Sequence, residues 1–423
     1  MFNKKRKEKI ENLKNNGKEI LQYGLKFAAY PDDIQKDKID NTIGCCRFVY
    51  NYFKNYRDYH YTYFKESISM DYAKKMLTYY LKPSEQYAFL KDVDKFSLES
   101  SIEILYDAYD RFFNGLKKKH RVGFPRFKSK RNSKQSYKTK FTNGNIEIIE
   151  DKNTKSLYIK LPKIGKVKVL LNKNNSNLRK LLNNESRILN ATISKVNSKY
   201  YISLTIEEEI SKVISLLETK KVPSDKIIAG DLGIKTLLTT YNGKDYNEYE
   251  NLRYFKRNQK RLKRLQQSLS RKKKDSKNYI KIKEKVANLH QRISNQRLDY
   301  NHKLSKAIVD ENQVYISEDL GIMNMIKNHK LAKEILSCGW GQLVNFIDYK
   351  MKKKGGLLIR VDRFFPSSKL CSHCGYKYVD LTLNEREWDC PQCDNHNDRD
   401  INATINLRNK GIEELINMGI KVA

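Results

Sequence analysis

Apolar residues recur at helical spacing twice in the first third of the chain. Ile39, Ile43, Cys46, Tyr50 and Phe53 fall at steps of four, three, four and three, the stripe of an amphipathic helix. Leu98, Ile102, Leu105, Tyr109, Phe112 and Leu116 form a second stripe, expected to stop near Asn114-Gly115. Ahead of the first stripe, Gly24–Tyr30 reads as a short strand and Pro31-Asp32-Asp33 as a turn with a helix cap. Residues 32–119 are therefore predicted to be helical, following a polar, basic N-terminal tail.

From Gly123 the periodicity changes. The segment GFPRFKSKR is a basic, aromatic loop, and the short β-rich runs NIEII, SLYIKLP and KVKVLL follow it. NATISKVNSKYYISLTIE reads as a hairpin turning at Asn197-Ser198. A small β-unit interrupted by a helical unit thus accounts for residues 1–222. Near Val222-Pro223 a new pattern begins with three successive strands, KIIAGDLG, KTLLTTYNG and KDYNEYE, with a turn at Asn242-Gly243. Two helices follow, marked by Leu262, Leu265 and Leu269 and by Ile282, Val286, Leu289 and Ile293, with the basic run Arg271–Lys274 between them. The strand QVYISEDL, a helix through Trp340 and Phe346, the strand LLIRVDRFF, a cysteine-bearing insertion and a helix from about Ile401 complete the order.

Charge changes this picture from a generic α/β chain to a partner of polyanions. Lysine and arginine number 84 against 49 aspartates and glutamates in 423 residues, a formal charge of +35, with 28 tyrosines interleaved. An excess of that size repels itself unless a polyanion is close, and nucleic acid is the expected partner. No run approaches the roughly 20 apolar residues that span a bilayer, so no membrane partner is expected. The N-terminus lacks the apolar stretch of a secretory signal, which points to a cytoplasmic, nucleoid-associated protein.

Four of the seven cysteines carry a metal signature. Cys371-x2-Cys374, fifteen residues, then Cys390-x2-Cys393 is two-knuckle zinc-ribbon spacing, with four thiolates for one tetrahedral ion and no open position. The expected zinc is therefore structural, with His373 and His396 as bystanders. Cys45, Cys46 and Cys338 sit in helical patterns and read as buried small apolar residues.

Three acids stand where acids are costly. Asp231 closes the apolar strand IIAGD, Glu318 closes VYISE, and Asp400 begins the last helix. Taken singly, each has a bland reading as a turn residue or helix cap. Together they match the way an RNase H-like fold gathers carboxylates around Mg²⁺ or Mn²⁺ for phosphodiester hydrolysis. Asp398 is an alternative to Asp400, and Asp319 is expected on the opposite strand face from Glu318.

With these residues in view, the text FAAYPDD, GCCRFVYN, FFNGLKKK, GFPRFKSKR, GDLGIKTL, SEDLGIMNM, FPSSKLCSHCG, CPQC and DRDINATINL resembles the TnpB family of transposon-encoded nucleases and the related miniature type V CRISPR effectors, from about Gly24 to Lys410. The resemblance implies an α/β multidomain protein. Residues 1–31 and 120–222 would form a wedge-type β-barrel, 32–119 an inserted helical recognition lobe, and 223–423 a RuvC (RNase H-like) nuclease domain. The RuvC domain would carry a helical insertion at about 251–306 and a four-cysteine zinc ribbon at about 364–398. It implies a guide RNA and a short DNA motif read beside the target, with cutting of double-stranded DNA at one RuvC site. It makes Asp231, Glu318 and Asp400 the catalytic acids and holders of Mg²⁺ or Mn²⁺, and Arg399 a contact to substrate phosphate. Arg47, Tyr50, Asn51, Arg126, Lys128, Arg271 and Lys272 become candidate nucleic-acid contacts, in a protein working as a monomer or as a homodimer on one guide RNA. Departures are the basic N-terminal extension, Thr404 where alanine is common, and Asp394 after Cys393 where glycine is usual.

Competing classes leave different residues. A DDE-type transposase normally ends its acid set with Glu on the helix, whereas this chain has Asp400 there. A guide-dependent DNA-binding repressor would have lost an acid, and a structural RNA-binding protein with a zinc ribbon would not need acids at two strand ends.

Overall fold

The computed structural model describes residues 2–118, 122–131, 134–171, 175–382 and 385–423, and within these all side chains except those of 2–7, 9 and 330. The chain divides into two compact units, 1–212 and 213–423.

Unit 1 opens with α1 (Phe2–Asn15) in the polar, basic tail, to which the sequence reading assigned no element, and β1 (Lys18–Tyr30) is longer than the predicted strand. The helix α2 (Asp33–Phe64) begins where expected. Asp32 accepts from the Gln35 N–H (2.8 Å) while Gln35 Oε1 accepts from the Asp32 N–H (3.2 Å), a reciprocal cap that satisfies two otherwise orphaned donors. After α3 (Met70–Met76), α4 (Lys95–Lys117) buries Leu98, Ile102, Leu105 and Tyr109 against the first stripe. The predicted stop at Asn114-Gly115 is not observed. Gly115 keeps right-handed helical backbone and the helix runs on, leaving Leu116 on the surface. The boundary expected between 119 and 120 lies outside the described residues.

Seven strands then form one antiparallel sheet: β2 (Gln135–Lys140), β3 (Glu147–Glu150), β4 (Leu157–Leu161), β5 (Gly165–Leu170), β6 (Arg187–Val196), β7 (Lys199–Ser211) and β1. Their order is β2-β6-β7-β1-β5-β4-β3, with the short helix α5 (Ser176–Leu182) before β6. Among the described residues no pairing joins β2 to β3, so the sheet is not hydrogen-bonded into a closed barrel. β1 pairs with β7 along its length, from Lys18 opposite Ser211 to Ala29 opposite Tyr200. The hairpin turns at Asn197, whose φ of 56° is the left-handed conformation asparagine tolerates.

Unit 2 starts at Val213, not at 223. The reason is packing: α6 (Leu216–Thr219) and β8 (Lys221–Val222) bury Leu216 and Val222 in the unit 2 core, and the Leu216 N–H donates to the Gly355 carbonyl at 2.7 Å. The central sheet contains β9 (Ile227–Asp231), β10 (Thr236–Tyr241) and β11 (Tyr246–Glu250). Two long helices, α7 (Tyr254–Ser270) and α8 (Lys277–Glu311), lead to β12 (Val314–Glu318). Short α9 (Ile322–Met325), then α10 (His329–Cys338) and α11 (Trp340–Lys353) lead to β13 (Leu357–Val361). The order β11-β10-β9-β12-β13 sets β9, β12 and β13 parallel side by side, with β13 at the edge, as helical crossovers require. A small ribbon of β14 (Glu387–Asp389) and β15 (His396–Asp398) precedes α12 (Arg399–Asn417), and β16 (Lys421–Val422) pairs in parallel with β8.

The sheet is buried on both faces. Ile227, Ala229, Val314, Ile316, Ile359 and Val361 pack toward Leu407 and Leu415 of α12. Ile228, Tyr315 and Leu238 pack toward α8 and α11. No helix among the described residues is long and apolar enough to cross a membrane.

Candidate active site and cysteine ribbon

Strand alternation decides where the acids point. Asp231 continues the series Ile227, Ala229, and Glu318 continues Val314, Ile316, so both carboxylates project to the α12 side at adjacent strand ends. Asp319 falls on the other face and is held by the Arg363 guanidinium. At the start of α12 the two neighbouring aspartates divide the work. Asp398 is the N-cap, its Oδ1 accepting from the N–H groups of Asp400 and Ile401, both at 2.9 Å. Asp400 is thereby left out of the capping, and its negative charge is felt at Asp231.

The three acids share one electrostatic environment. Burial, followed by the negative charge of Asp400, pushes the Asp231 carboxyl up to about 6. Burial, followed by the charges of Asp231 and Asp319, pushes Glu318 up to about 7. Such shifts in a cleft are the signature of acids kept from their preferred ionisation until something positive arrives. The three carboxylates do not converge on one point. Among the described residues, the four cysteines are the sole set of three or more ligand atoms lying within 4.8 Å of one another.

Arg386, which the sequence gave no reason to single out, supplies the counter-charge. Its Nη1 donates to both oxygens of Asp400, at 3.0 and 3.1 Å, and its carbonyl accepts from the Arg399 N–H at 2.7 Å. Arg399 itself donates to the Thr382 carbonyl at 3.0 Å.

α12 is pressed onto the sheet by two devices also absent from the sequence reading. Gly411 lies so close to β12 that a Cβ there would stand 2.5 Å from Ile316 Cδ1. Arg408, nearly buried, donates to the Ile227 carbonyl (3.3 Å) and to the carbonyl and hydroxyl of Ser224 (both 2.8 Å). The available signal was a glycine and several polar residues on the face of α12 that also carries Ala403, Leu407 and Leu415.

The cysteine cluster has the predicted spacing and a closed geometry. Cys371 and Cys393 sulfurs lie 3.7 Å apart, and those of Cys374 and Cys390 3.5 Å apart. A tetrahedron with Zn–S bonds of about 2.3 Å has edges of about 3.8 Å, so the donor set fits structural zinc. Both knuckles turn alike: Gly375 donates to the Cys371 carbonyl and Asp394 to the Cys390 carbonyl, each at 2.9 Å, with φ of 79° and 53°. Aspartate tolerates this conformation, so its replacement of glycine leaves the second knuckle unaltered. His373 is not among the converging ligands, and His396 bonds Asp389 instead. The ribbon is moored to α12: Asn402 joins the Leu370 carbonyl (2.6 Å) to the Ser372 N–H (2.8 Å), and Asn406 reaches the carbonyls of Ser367 (2.8 Å) and Leu370 (2.7 Å). Cys45, Cys46 and Cys338 are buried as expected.

The candidate nucleic-acid residues divide sharply. Tyr50 is buried, with the Lys128 ammonium 3.9 Å from its ring centroid. Asn51 holds the backbone of Lys128 from both sides, donating to its carbonyl (2.9 Å) and accepting from its N–H (2.8 Å), while Arg47 donates to Gln135 Oε1 (3.1 Å). These residues fasten the 123–131 loop to α2. Arg126, Arg271 and Lys272 are exposed.

Comparison with known proteins follows this geometry. Residues 201–329 match the family model OrfB_IS605, described as a probable transposase, and residues 340–407 match the Cas12f1-like TNB domain. Residues 21–65 match a helix-turn-helix model, although the structure has one strand and one unbroken helix there. A Streptomyces pristinaespiralis protein described as "Putative RNA-guided DNA endonuclease" is 32% identical over 397 residues, spanning 93% of this chain and 90% of its own. InsQ of Escherichia coli (strain K12), similarly described, is 28% identical over 398 residues, covering 90% of each chain. Among solved structures, the Cas12f1-sgRNA-target DNA complex shares the fold with a TM-score of 0.53 at 14% identity, covering 92% of this chain and 99% of that one.

Proposed function

Because this chain belongs to the TnpB family, we propose that it is an RNA-guided DNA endonuclease whose single cutting site is the cleft of Asp231, Glu318 and Asp400. The observation that carries the reading is the placing of three acids on one face of the unit 2 sheet, two of them pushed toward neutral pH by burial and by neighbouring carboxylates. In this reading unit 2 is the RuvC domain, and unit 1 is the wedge domain, its sheet open between β2 and β3, with its helical recognition lobe. A guide RNA supplies sequence specificity by pairing, and protein side chains read a short motif beside the target.

Hard carboxylate oxygens fit Mg²⁺ or Mn²⁺, which would supply charge for phosphodiester hydrolysis when bound. With carboxyls raised to about 6 and about 7, Asp231 and Glu318 ionise close to neutral pH, and a bound cation would favour their charged forms. Asp398 keeps Asp400 free by taking the capping role, and Arg386 occupies Asp400 until its guanidinium turns to a phosphate oxygen. The basic faces of α7 and α8, with Arg271 and Lys272 between them, line the path of the nucleic-acid backbone, so affinity should fall steeply with salt.

The test is plasmid cleavage by the protein co-expressed with RNA from its own locus, in Mg²⁺, beside Asp231→Ala. Guide-dependent double-strand cutting that vanishes in the variant supports the reading. Guide-dependent binding without cutting by the natural chain would make it a repressor instead.

A further inference from the structure

Unit 2 contains a second concave feature, distinct from the acidic cleft. α7, α8 and α10 enclose a cleft of about 470 Å³. Its wall is apolar and aromatic, formed by Tyr254, Phe255, Ile293 and Leu336. Its polar groups are all basic or neutral: Arg297, Lys333, His329 and Ser337, with no acid among the lining residues.

The polar groups are arranged at the edge of the aromatic wall. The Lys333 ammonium stands 5.2 Å from the Phe255 ring centroid. Arg297 is fixed by donating Nη1 to the carbonyls of Leu336 (2.9 Å) and Ser337 (3.5 Å), while its buried Nε finds no hydrogen-bond partner among the described residues. That Nε lies against Gly339, closed off from the cleft, so what Arg297 offers the cleft is its fixed positive charge. A flat π-surface rimmed by two permanent cations and no acid suits a nucleobase joined to a phosphate.

Connectivity says which strand could supply it. α10 follows β12 and its Glu318 through one short segment. At the other end of α10, Gly339 packs on Arg297, and the Trp340 indole N–H donates to the Gly233 carbonyl (3.2 Å), two residues beyond Asp231. One wall, α10, is thus tied at its two ends to the chain segments that follow Glu318 and Asp231.

We propose that this cleft holds one unstacked nucleotide of the single DNA strand presented to the acids, its base against Tyr254 and Phe255 and its phosphate on Arg297 and Lys333. The proposal rests on the nuclease reading above and adds to it a subsite that keeps the strand extended and unpaired on its way to the cut.

The probe is a single-stranded DNA oligonucleotide carrying 2-aminopurine, mixed with the RNA-loaded protein without divalent cations so that nothing is cut. Stacking in the cleft quenches the fluorophore. Phe255→Ala abolishes the quench, and Lys333→Glu, an exposed change that leaves the fold intact, weakens binding roughly tenfold. Lys333→Arg retains both, and Lys353→Glu, an exposed change at the end of α11, retains the quench. Equal quenching in Phe255→Ala, or an equal loss in Lys353→Glu and Lys333→Glu, would overturn the subsite. So would quenching by an RNA oligonucleotide but not by DNA. Plasmid cutting measured alongside separates the two readings: cutting without any quench removes the subsite alone, whereas no cutting removes the nuclease and DNA as occupant together.

Discussion

Asp231→Asn should make the cation-free protein more stable at pH 8, an unusual outcome for a substitution in a buried site. Burial and Asp400 raise the Asp231 carboxyl to about 6, against about 3.9 in an unfolded chain. Between those values the folded state holds a proton that the unfolded state has released. Stability from this group is therefore full below about pH 4, is lost as pH rises through 6, and stays lost above. Two units at 1.36 kcal/mol each amount to about 3 kcal/mol, and the partly accessible edge of Asp231 trims this to roughly 1–3 kcal/mol. Asparagine removes the charge at all pH values and keeps the shape, so it should recover that amount at pH 8 and nothing at pH 4. In a unit of this size the gain corresponds to a melting shift of roughly 2–12 °C. Thermal melts of both proteins in Mg²⁺-free buffer across pH 4–8 would show it, and Mg²⁺ should then stabilise the natural chain more than the variant. A pH-independent difference, or a variant less stable at pH 8, would refute the electrostatic account of the cleft.

Three further expectations test its supports. Gly411→Ala should drive a methyl into Ile316, costing about 1–3 kcal/mol less the helix-propensity gain of up to ~1, and Ile316→Ala should largely rescue it; additive melting shifts would count against the close approach. Cys371→Ser should drop bound zinc, assayed by elemental analysis, from about one per chain to none, and loosen the N-terminus of α12 through Asn402 and Asn406; full zinc content would argue against the four-thiolate site. Asn51→Ala should leave two backbone groups of Lys128 unpaired at about 1–3 kcal/mol, exposing the 123–131 loop to trypsin; unchanged proteolysis would mean the loop is held elsewhere.

What could be read from sequence was set by periodicity and spacing. The stripes of α2 and α4 bury the residues expected, except Phe112 and Leu116 near the end of α4, because helical spacing maps directly onto one face, and the cysteine spacing maps onto one tetrahedron. The acids could be placed at element ends, because an acid closing an apolar run has few places to go. Contacts between distant segments left no comparable trace. Arg386 meets Asp400 only because the ribbon folds back over α12, and nothing in its flanking residues announces that. Tyr50, Asn51 and Lys128 looked like a basic, aromatic surface, yet they face one another across α2 and a loop 77 residues away. Unit 2 begins earlier than composition suggested because β8 owes its place to β16, at the other end of that unit.

That last pairing has a parallel in unit 1, and together they govern the timing of folding. β1 cannot complete its ladder until Ser211 has been made, and β8 has no neighbour until Lys421 is made. At synthesis rates of 5–20 residues per second, each early strand edge waits roughly 10–40 s for its partner. During that interval the edges are open to wrong pairing, and folding dominated by such long-range contacts is slow. A polyanion already bound to the basic nascent chain would shield it from its neighbours, making nucleic acid a solubilising partner before it is a substrate.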